Sequence, residues 1–308
     1  MIEDFKPGLR IKQPVIARVQ KIGTSSNGAP FARGLVEDNS GCVPFICFEV
    51  SPIEKLKELE GPSAIIATGM VDINKYSNDM SLQLMLQKVD KPGAEDDLSH
   101  LLPQGNIDLQ EWEAKLNELV ESIADVNVAD LVTTVLSGDT YAQFIINPAG
   151  MRLHHAYVGG LMHHSVSVAQ IARALATTIP QVDLDLVTAG ALLHDVGKID
   201  EISSDLGFPY TTTGRLMGHI ALGALRIREA AQQVPNLSRN QLEALEHIIL
   251  SHHGSLDKGS PVACATREAF VVHYADELDA IMNQFNGATP KKDWEFNKML
   301  QRYLKQSI

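Results

Sequence analysis

The chain has 308 residues, 44% of them hydrophobic and 21% charged, with a formal net charge of −12. That length allows two ordinary domains or one large one, and the composition is that of a soluble globular protein. It excludes a helical membrane protein, since no apolar run reaches eighteen residues. It also argues against a generic nucleic-acid binder, because phosphate contacts dominate that affinity. The charge is unevenly spread: residues 1–92 carry eleven basic and eleven acidic side chains, so residues 93–308, with 15 basic and 27 acidic, hold the whole excess. A nucleic-acid role therefore needs a local basic path or a bound cation. Cys42, Cys47 and Cys264 form no CxxC pair, and the first two read as strand packing rather than a zinc site. The opening MIEDFKPGLRIK lacks the apolar core of a secretory signal, so the expectation is a cytoplasmic protein without a membrane partner.

In chain order, residues 14–91 read as strands. PVIARVQKI, APFARGLVED, GCVPFICFEV, SAIIATGMVD and MSLQLMLQKV are short runs separated by turn material. TSSNGAP and EDNSG are hairpin turns, with Asn and Gly where positive φ is tolerated. In SLQLMLQK, Leu82, Leu84 and Leu86 face one way and Gln83, Met85 and Gln87 the other. SPIEKLKELEG between the third and fourth strands reads as a helix, capped by Ser51 and stopped by Gly61. Five strands with a helix after the third is the order of an OB-fold barrel; another small five-stranded barrel or meander is the alternative. The expected division is an OB-fold over 1–92, a linker rich in Pro, Gly and Asp over 93–108, and an all-α domain over 109–308. Periodicity near 3.6 predicts helices at about 109–122, 127–136, 158–177, 183–195, 214–233, 238–253, 266–285 and 292–305.

Ten of the eleven histidines lie between residues 154 and 273. His154 and His155 stand in MRLHHAYVGGL, His163 and His164 in LMHHSVSVAQIA, and His194 with Asp195 ends the apolar run in LLHDVGKID. His219 follows in LMGHIALGAL, and His252 and His253 close LEHIILSHHG. Leu242, Leu245 and Ile249 share a helical face, and three or four residues further lie His252 and His253. Ala269, Val272 and Asp276 likewise share a face, which puts a carboxylate on an apolar stripe. A lone core histidine usually bonds a carbonyl. Six at this density with two aspartates, and no thiolate, suit a metal site for Mn²⁺, Fe²⁺, Mg²⁺, Ni²⁺ or a catalytic Zn²⁺.

His164, the pair at 194–195 and Asp276, with HDVGK and SHHG, resemble the HD-domain metal-dependent phosphohydrolases over about residues 150–285. HHAYVGGL, GHIALG, GSPV, TREA and HYADELDA, with an OB-fold ahead of them, resemble the YhaM-type 3′→5′ exoribonucleases. The resemblance implies two divalent ions per chain, manganese first, with Fe, Mg, Co, Ni or Zn as alternatives. One ion falls to His164, His194, Asp195 and Asp276. Asp195 bridges to a second, held by His219, His252 and His253. Asp195 and Lys198 are the implied catalytic residues, Lys198 by contact with the scissile phosphate or leaving oxygen; the other reading of Lys198 is a solvated lysine at a helix C-terminus. His154 and His155 either contact substrate or cap and pack at a helix start, and no role follows for His163.

Two such ions stabilise both the attacking and the leaving oxygen of an in-line displacement at phosphorus. On the barrel, Phe31, Phe45, Phe48 and Tyr76 are candidates to stack bases, with Arg33, Lys75 and Lys88 near phosphates; any of these aromatics also suits a barrel core. The expected activity is a 3′→5′ exonuclease releasing mononucleotides from single-stranded RNA, with DNA as a further candidate, in a homo-oligomer. The alternatives are an HD hydrolase of small nucleotides, such as a nucleotidase or phosphodiesterase, and a nucleic-acid-binding or regulatory protein with an auxiliary HD site. GFPY at 207–210 is not the GYP of the cyclic-di-nucleotide branch, which argues against that branch.

Overall fold

In the computed structural model, residues 1–25, 28–59, 61–74, 81–151, 155–283, 285, 293–297 and 300–305 are described. They form two compact units, residues 1–104 and 105–308. Among them no helix is long and apolar enough to cross a membrane.

The first unit is a closed five-stranded barrel. β1 (Arg10–Thr24), β2 (Pro30–Asp38), β3 (Gly41–Cys47), β4 (Ser63–Ile73) and β5 (Leu82–Asp90) close in the order β1-β2-β3-β5-β4. β3 and β5 join in parallel at Phe45–Leu84 and Ile46–Met85, and the other pairs are antiparallel. Strand alternation sends Val15, Ala17, Val36, Phe45, Val71 and Leu84 into the core, each at most 1% exposed. Leu84 and Leu86 point inward as their alternation predicts. Helix α1 (Val50–Lys57) sits between β3 and β4, as in an OB-fold. Its start differs from expectation: the N-cap is Glu49, extended and without a side-chain cap bond, and Ser51 lies inside the first turn. Pro52 fits there because first-turn residues need no N–H partner. Part of the stretch expected as linker packs on the barrel: Leu101 is buried, and His100 Nε2 is 3.1 Å from the Pro14 carbonyl.

The second unit is helical: α2 (Leu109–Glu121), α3 (Val126–Val135), α4 (Gly138–Phe144), α5 (Gly160–Ala176), α6 (Leu184–Leu193), α7 (Lys198–Glu201), α8 (Thr212–Ala231), α9 (Arg239–Ser251) and α10 (Arg267–Asn283). Asp108, Asp125, Asp183, Thr211 and Ser238 each accept a first-turn N–H from the cap position. Such a cap contributes about 1 kcal/mol. α6 is the central element, with every residue from Val187 to Leu193 buried; a helix apolar on all sides belongs in a core. α4 was not predicted. The helix expected over 292–305 is instead a hairpin of β6 (Trp294–Asn297) and β7 (Arg302–Lys305), so the unit is not purely α. Trp294 and Phe296 alternate with polar residues at period 2, and Phe296 meets Tyr303 across the pair, with ring centroids 5.1 Å apart.

Candidate metal centre

The predicted helix over 183–195 ends early. α6 stops at Leu193, and the chain tightens through Val196 N–H to the Leu193 carbonyl (3.1 Å) and Lys198 N–H to the Asp195 carbonyl (2.9 Å). This turn lies directly against α8. A Cβ on Gly197 would stand 2.1 Å from the His219 carbonyl oxygen, so any side chain there displaces one strip of backbone or the other. α8 itself bends at Gly218, where φ is 73° and ψ 154°. That conformation suits glycine, and the bend leaves the N–H of His219 free to bond Glu201 Oε1 at 3.0 Å.

These constraints bring seven side chains from five places in the chain to one point. His164 Nε2 lies 3.1 Å from His194 Nε2, 3.3 Å from Asp195 Oδ2 and 3.2 Å from Asp276 Oδ1. His194 Nε2 is 3.4 Å from Asp195 Oδ2 and 3.8 Å from Asp276 Oδ1. The other oxygen of Asp195 turns to a second group: Oδ1 is 3.5 Å from His219 Nε2 and 3.6 Å from His252 Nε2. Ligand atoms of His219, His252 and His253 lie within 4.8 Å of one another. Asp195 thus stands between two donor sets, one oxygen to each.

The donors fit divalent cations. Asp195 Oδ1, His219 Nε2 and His252 Nε2 are buried and have no hydrogen-bond partner among the described residues. Leaving such atoms unsatisfied costs about 1–3 kcal/mol each, and a cation held among them removes that cost. Each imidazole is also aimed. His194 Nδ1 donates to the Ala191 carbonyl (2.8 Å), His252 Nδ1 to the Ile249 carbonyl (2.8 Å), and His253 Nδ1 to the Lys258 carbonyl (3.0 Å). His164 Nδ1 donates to Asp279 (2.7 Å) and His219 Nδ1 to Glu201 (3.0 Å). With Nδ1 protonated, a neutral imidazole presents its Nε2 lone pair to the centre. Nitrogen and oxygen without thiolate is the donor set of Mn²⁺, Fe²⁺, Mg²⁺ and similar ions. Cys264 stays outside it, its Sγ 3.3 Å from the Ser251 carbonyl.

The electrostatics follow from burial and pairing. Burial alone raises a carboxyl, yet Lys198 and His194 hold Asp195 well below the usual carboxylate range. Burial alone lowers an imidazole, yet Asp195, Asp276 and Asp279 hold His164 well above its ordinary value. At His252 burial prevails and its pKa falls well below normal, and burial lowers that of His253 too. Glu201 is held low against its burial by the hydrogen bond to His219.

Lys198 is buried at 8% exposure, with Nζ 2.6 Å from Asp195 Oδ2, so the solvated-lysine reading does not apply. Beside it opens a cavity of about 430 Å³, lined by Asp195, Lys198, His253, Lys258, Asp276 and Ile281 among others. His155 is not at this opening; it is 2% exposed and bonded to Asp279 and Tyr157, which corrects its reading as a substrate contact. His154, Lys75 and Tyr76 lie outside the described residues. In the barrel unit, Phe31 and Arg33 share the outward face of β2, half-buried and exposed respectively. Phe48 is 49% exposed, and Lys88 is paired with Asp90 at 2.6 Å. Phe45, at 1% exposure, is core and not a stacking surface. Sequence reasoning missed Asp279, Glu201 and Tyr157. Asp279 carried a usable signal, since it lies one turn beyond Asp276 on α10.

Residues 161–281 match the family model described as HD domain. The match runs from the first turn of α5 nearly to the end of α10 and includes all seven converging side chains. Together with the geometry, it supports a metal-dependent hydrolase of the HD-domain superfamily.

Proposed function

We propose that the protein is a 3′→5′ exonuclease that removes mononucleotides from single-stranded RNA, and from single-stranded DNA as a second substrate. The observation that carries this reading is the placement of Asp195 between two donor sets at the wall of a cavity of about 430 Å³. His164, His194, Asp195 and Asp276 would hold one ion, and Asp195, His219, His252 and His253 the other. Bound there, the ions supply Lewis-acid charge to a phosphate and acidify water, the chemistry of two-metal phosphoester hydrolysis.

The protein's own groups do the rest. The five Nδ1 anchors fix the imidazoles before substrate arrives, so little reorganisation accompanies the reaction. Lys198 brings a buried positive charge to the cavity wall, where it can hold a phosphate oxygen. A cavity of about 430 Å³ is in the size class that encloses a small ligand, which suits the terminal unit of a strand rather than its middle. On the barrel unit, Phe31 and Arg33 of β2 offer a stacking ring and a phosphate contact for a single strand.

The test is the full chain with Mn²⁺ and end-labelled single-stranded RNA. Mononucleotide products, blocked by a 3′-terminal modification, are expected. Cleavage of a circular RNA would exclude the exonuclease reading. A second reading, hydrolysis of small nucleotides, draws support from the barrel's balanced charge, with Arg18 tied to Glu37 and both Lys55 and Lys88 tied to Asp90. Turnover of nucleotides together with inert oligonucleotides would favour it.

A further inference from the structure

Behind His164 lies a buried line of polar side chains. His164 Nδ1 is 2.7 Å from Asp279 Oδ2, and the same oxygen is 2.8 Å from His155 Nε2. His155 Nδ1 is 2.8 Å from Tyr157 Oη, which also bonds His163 Nδ1. The ring of His163 rests on Trp112 of α2, with centroids 4.0 Å apart.

With His164 in the neutral form that binds a metal, His155 and His163 neutral and Asp279 ionised, one arrangement of hydrogens satisfies every link. A carboxylate only accepts, so His164 Nδ1 and His155 Nε2 both carry hydrogen. His155 Nδ1 is then an acceptor and takes the Tyr157 hydroxyl hydrogen. The Tyr157 oxygen accepts in turn from His163 Nδ1. The arrangement leaves the Nε2 lone pair of His164 facing His194, Asp195 and Asp276.

The backbone is held in an uncommon conformation to make this line. His155 has φ 52°, in the left-handed region that non-glycine residues rarely enter. Its N–H donates to Asn283 Oδ1 at 3.1 Å, and its carbonyl accepts from Ala149 and Tyr157. A Cβ on Gly160 would lie 1.9 Å from that carbonyl oxygen, so only glycine there lets the loop pass. Strain of this kind persists where the surroundings over-determine it, and it collects at functional positions.

We propose that Asp279 is a positioning residue that makes His164 a metal ligand, and that His155 and Tyr157 keep Asp279 in that role. Its carboxylate forces the Nδ1–H form of His164, and the two further links hold the carboxylate against the imidazole. The proposal rests on reading His164 as a metal ligand and is independent of the substrate.

The test is Mn²⁺ binding to the full chain without substrate, followed by paramagnetic resonance. Wild type should take two Mn²⁺ per chain and give an exchange-coupled spectrum. In Asp279→Asn the side chain is neutral and donates as well as accepts, so the tautomer is no longer forced. One of the two ions should bind about tenfold to a hundredfold more weakly, and at concentrations that saturate wild type the spectrum should be that of isolated Mn²⁺. Tyr157→Phe removes one link only and should weaken the same ion by about twofold to tenfold; it decides the matter if Asp279→Asn does not fold. Wild-type affinity for both ions in a folded Asp279→Asn, or in Tyr157→Phe, overturns the proposal. A wild-type chain that takes up no Mn²⁺ overturns the metal reading along with it, whereas loss of exonuclease activity on RNA alone leaves it standing.

Discussion

The ammonium of Lys198 lies 2.6 Å from Oδ2 of Asp195, three residues earlier in the chain. The turn between α6 and α7 makes this contact, and it puts a permanent positive charge on the carboxylate oxygen that faces the first donor set. Lys198 is therefore expected to act on the phosphate rather than to hold metal. Lys198→Ala should lower kcat by about 10²–10³-fold, the scale for losing one preorganised charge-stabilising group. Metal content should stay at the wild-type level, and a loss of metal parallel to activity would show the lysine to be structural.

Asp195→Asn removes the carboxylate that, among the described residues, touches both donor sets. Metal content should fall at both positions and hydrolysis should vanish, while the circular dichroism of the helices persists. The apolar core of Val187, Leu192, Leu193, Ile248 and Val272 is untouched by the change. Retention of two ions with full turnover would contradict the bridging assignment.

The metal-free protein should lose stability on acidification from about pH 6.5 to about pH 4. Burial, then the charge on His155, pushes His163 down to about 4, and burial lowers His155, His252 and His253 as well. An unfolded histidine titrates near 6.5. Across this window the unfolded chain takes up protons that the native state refuses, so stability is present above it and lost as pH falls through it. His164 is raised, so its contribution is gained below its folded value and complete by about pH 6.5; it does not offset the loss. Chemical unfolding at several pH values checks this. His163→Gln should flatten the slope, and an unchanged slope would remove His163 from the account.

The barrel and the helical unit should be separable in function. A chain of residues 105–308 is expected to hydrolyse a small phosphodiester but to lose activity on long strands. Phe31→Ala and Arg33→Ala in the full chain should raise KM for long RNA and leave that for the small diester unchanged. The balanced charge of residues 1–92 implies few phosphate contacts, and each contact on a single strand contributes a slope of about −0.7 in log affinity against log salt. With about three contacts, binding should weaken roughly tenfold to twentyfold between about 50 and 200 mM salt. A much steeper fall would reveal a basic track not apparent in the barrel.

The barrel was legible because alternation is a local signal, as at Leu84 and Leu86, and closure follows from strand order. His164 and Asp276 were legible because their own helices point them inward, as Ala269 and Val272, both 0% exposed, share the face of Asp276, and His194 with Asp195 because the pair directly follows the apolar run of α6. Asp279 was missed although it follows Asp276 by one turn, because a second carboxylate on a helix ordinarily reads as surface charge, and the approach of His155 and His164 gives it its other meaning. His155 depended on a left-handed backbone that no propensity favours. The last hairpin was misread because Lys, Gln, Met and Leu around Trp294 to Tyr303 are good helix formers, and tertiary context decided against their preference. Phe45 shows the converse limit, since an aromatic on a small barrel is apolar cargo for the core before it is a recognition surface.

The bend at Gly218 gives α8 two segments of different exposure. Beyond it, Ile220, Leu222, Ile227 and Ala230 are buried, while before it Leu216 is 80% and Met217 47% exposed. His219 begins the second segment, tethered by Glu201 through both its backbone N–H and its ring. Gly214 in the leading turn is buried against the Glu201 backbone, where a Cβ would stand 2.4 Å from the carbonyl oxygen, so the turn and the imidazole rest on the same residue. In hydrogen–deuterium exchange, the amides of residues 215–217 should open early and those of 222–230 late, with the division at the glycine. The entrance turn of the helix and the ligand it precedes thus share one anchor, Glu201.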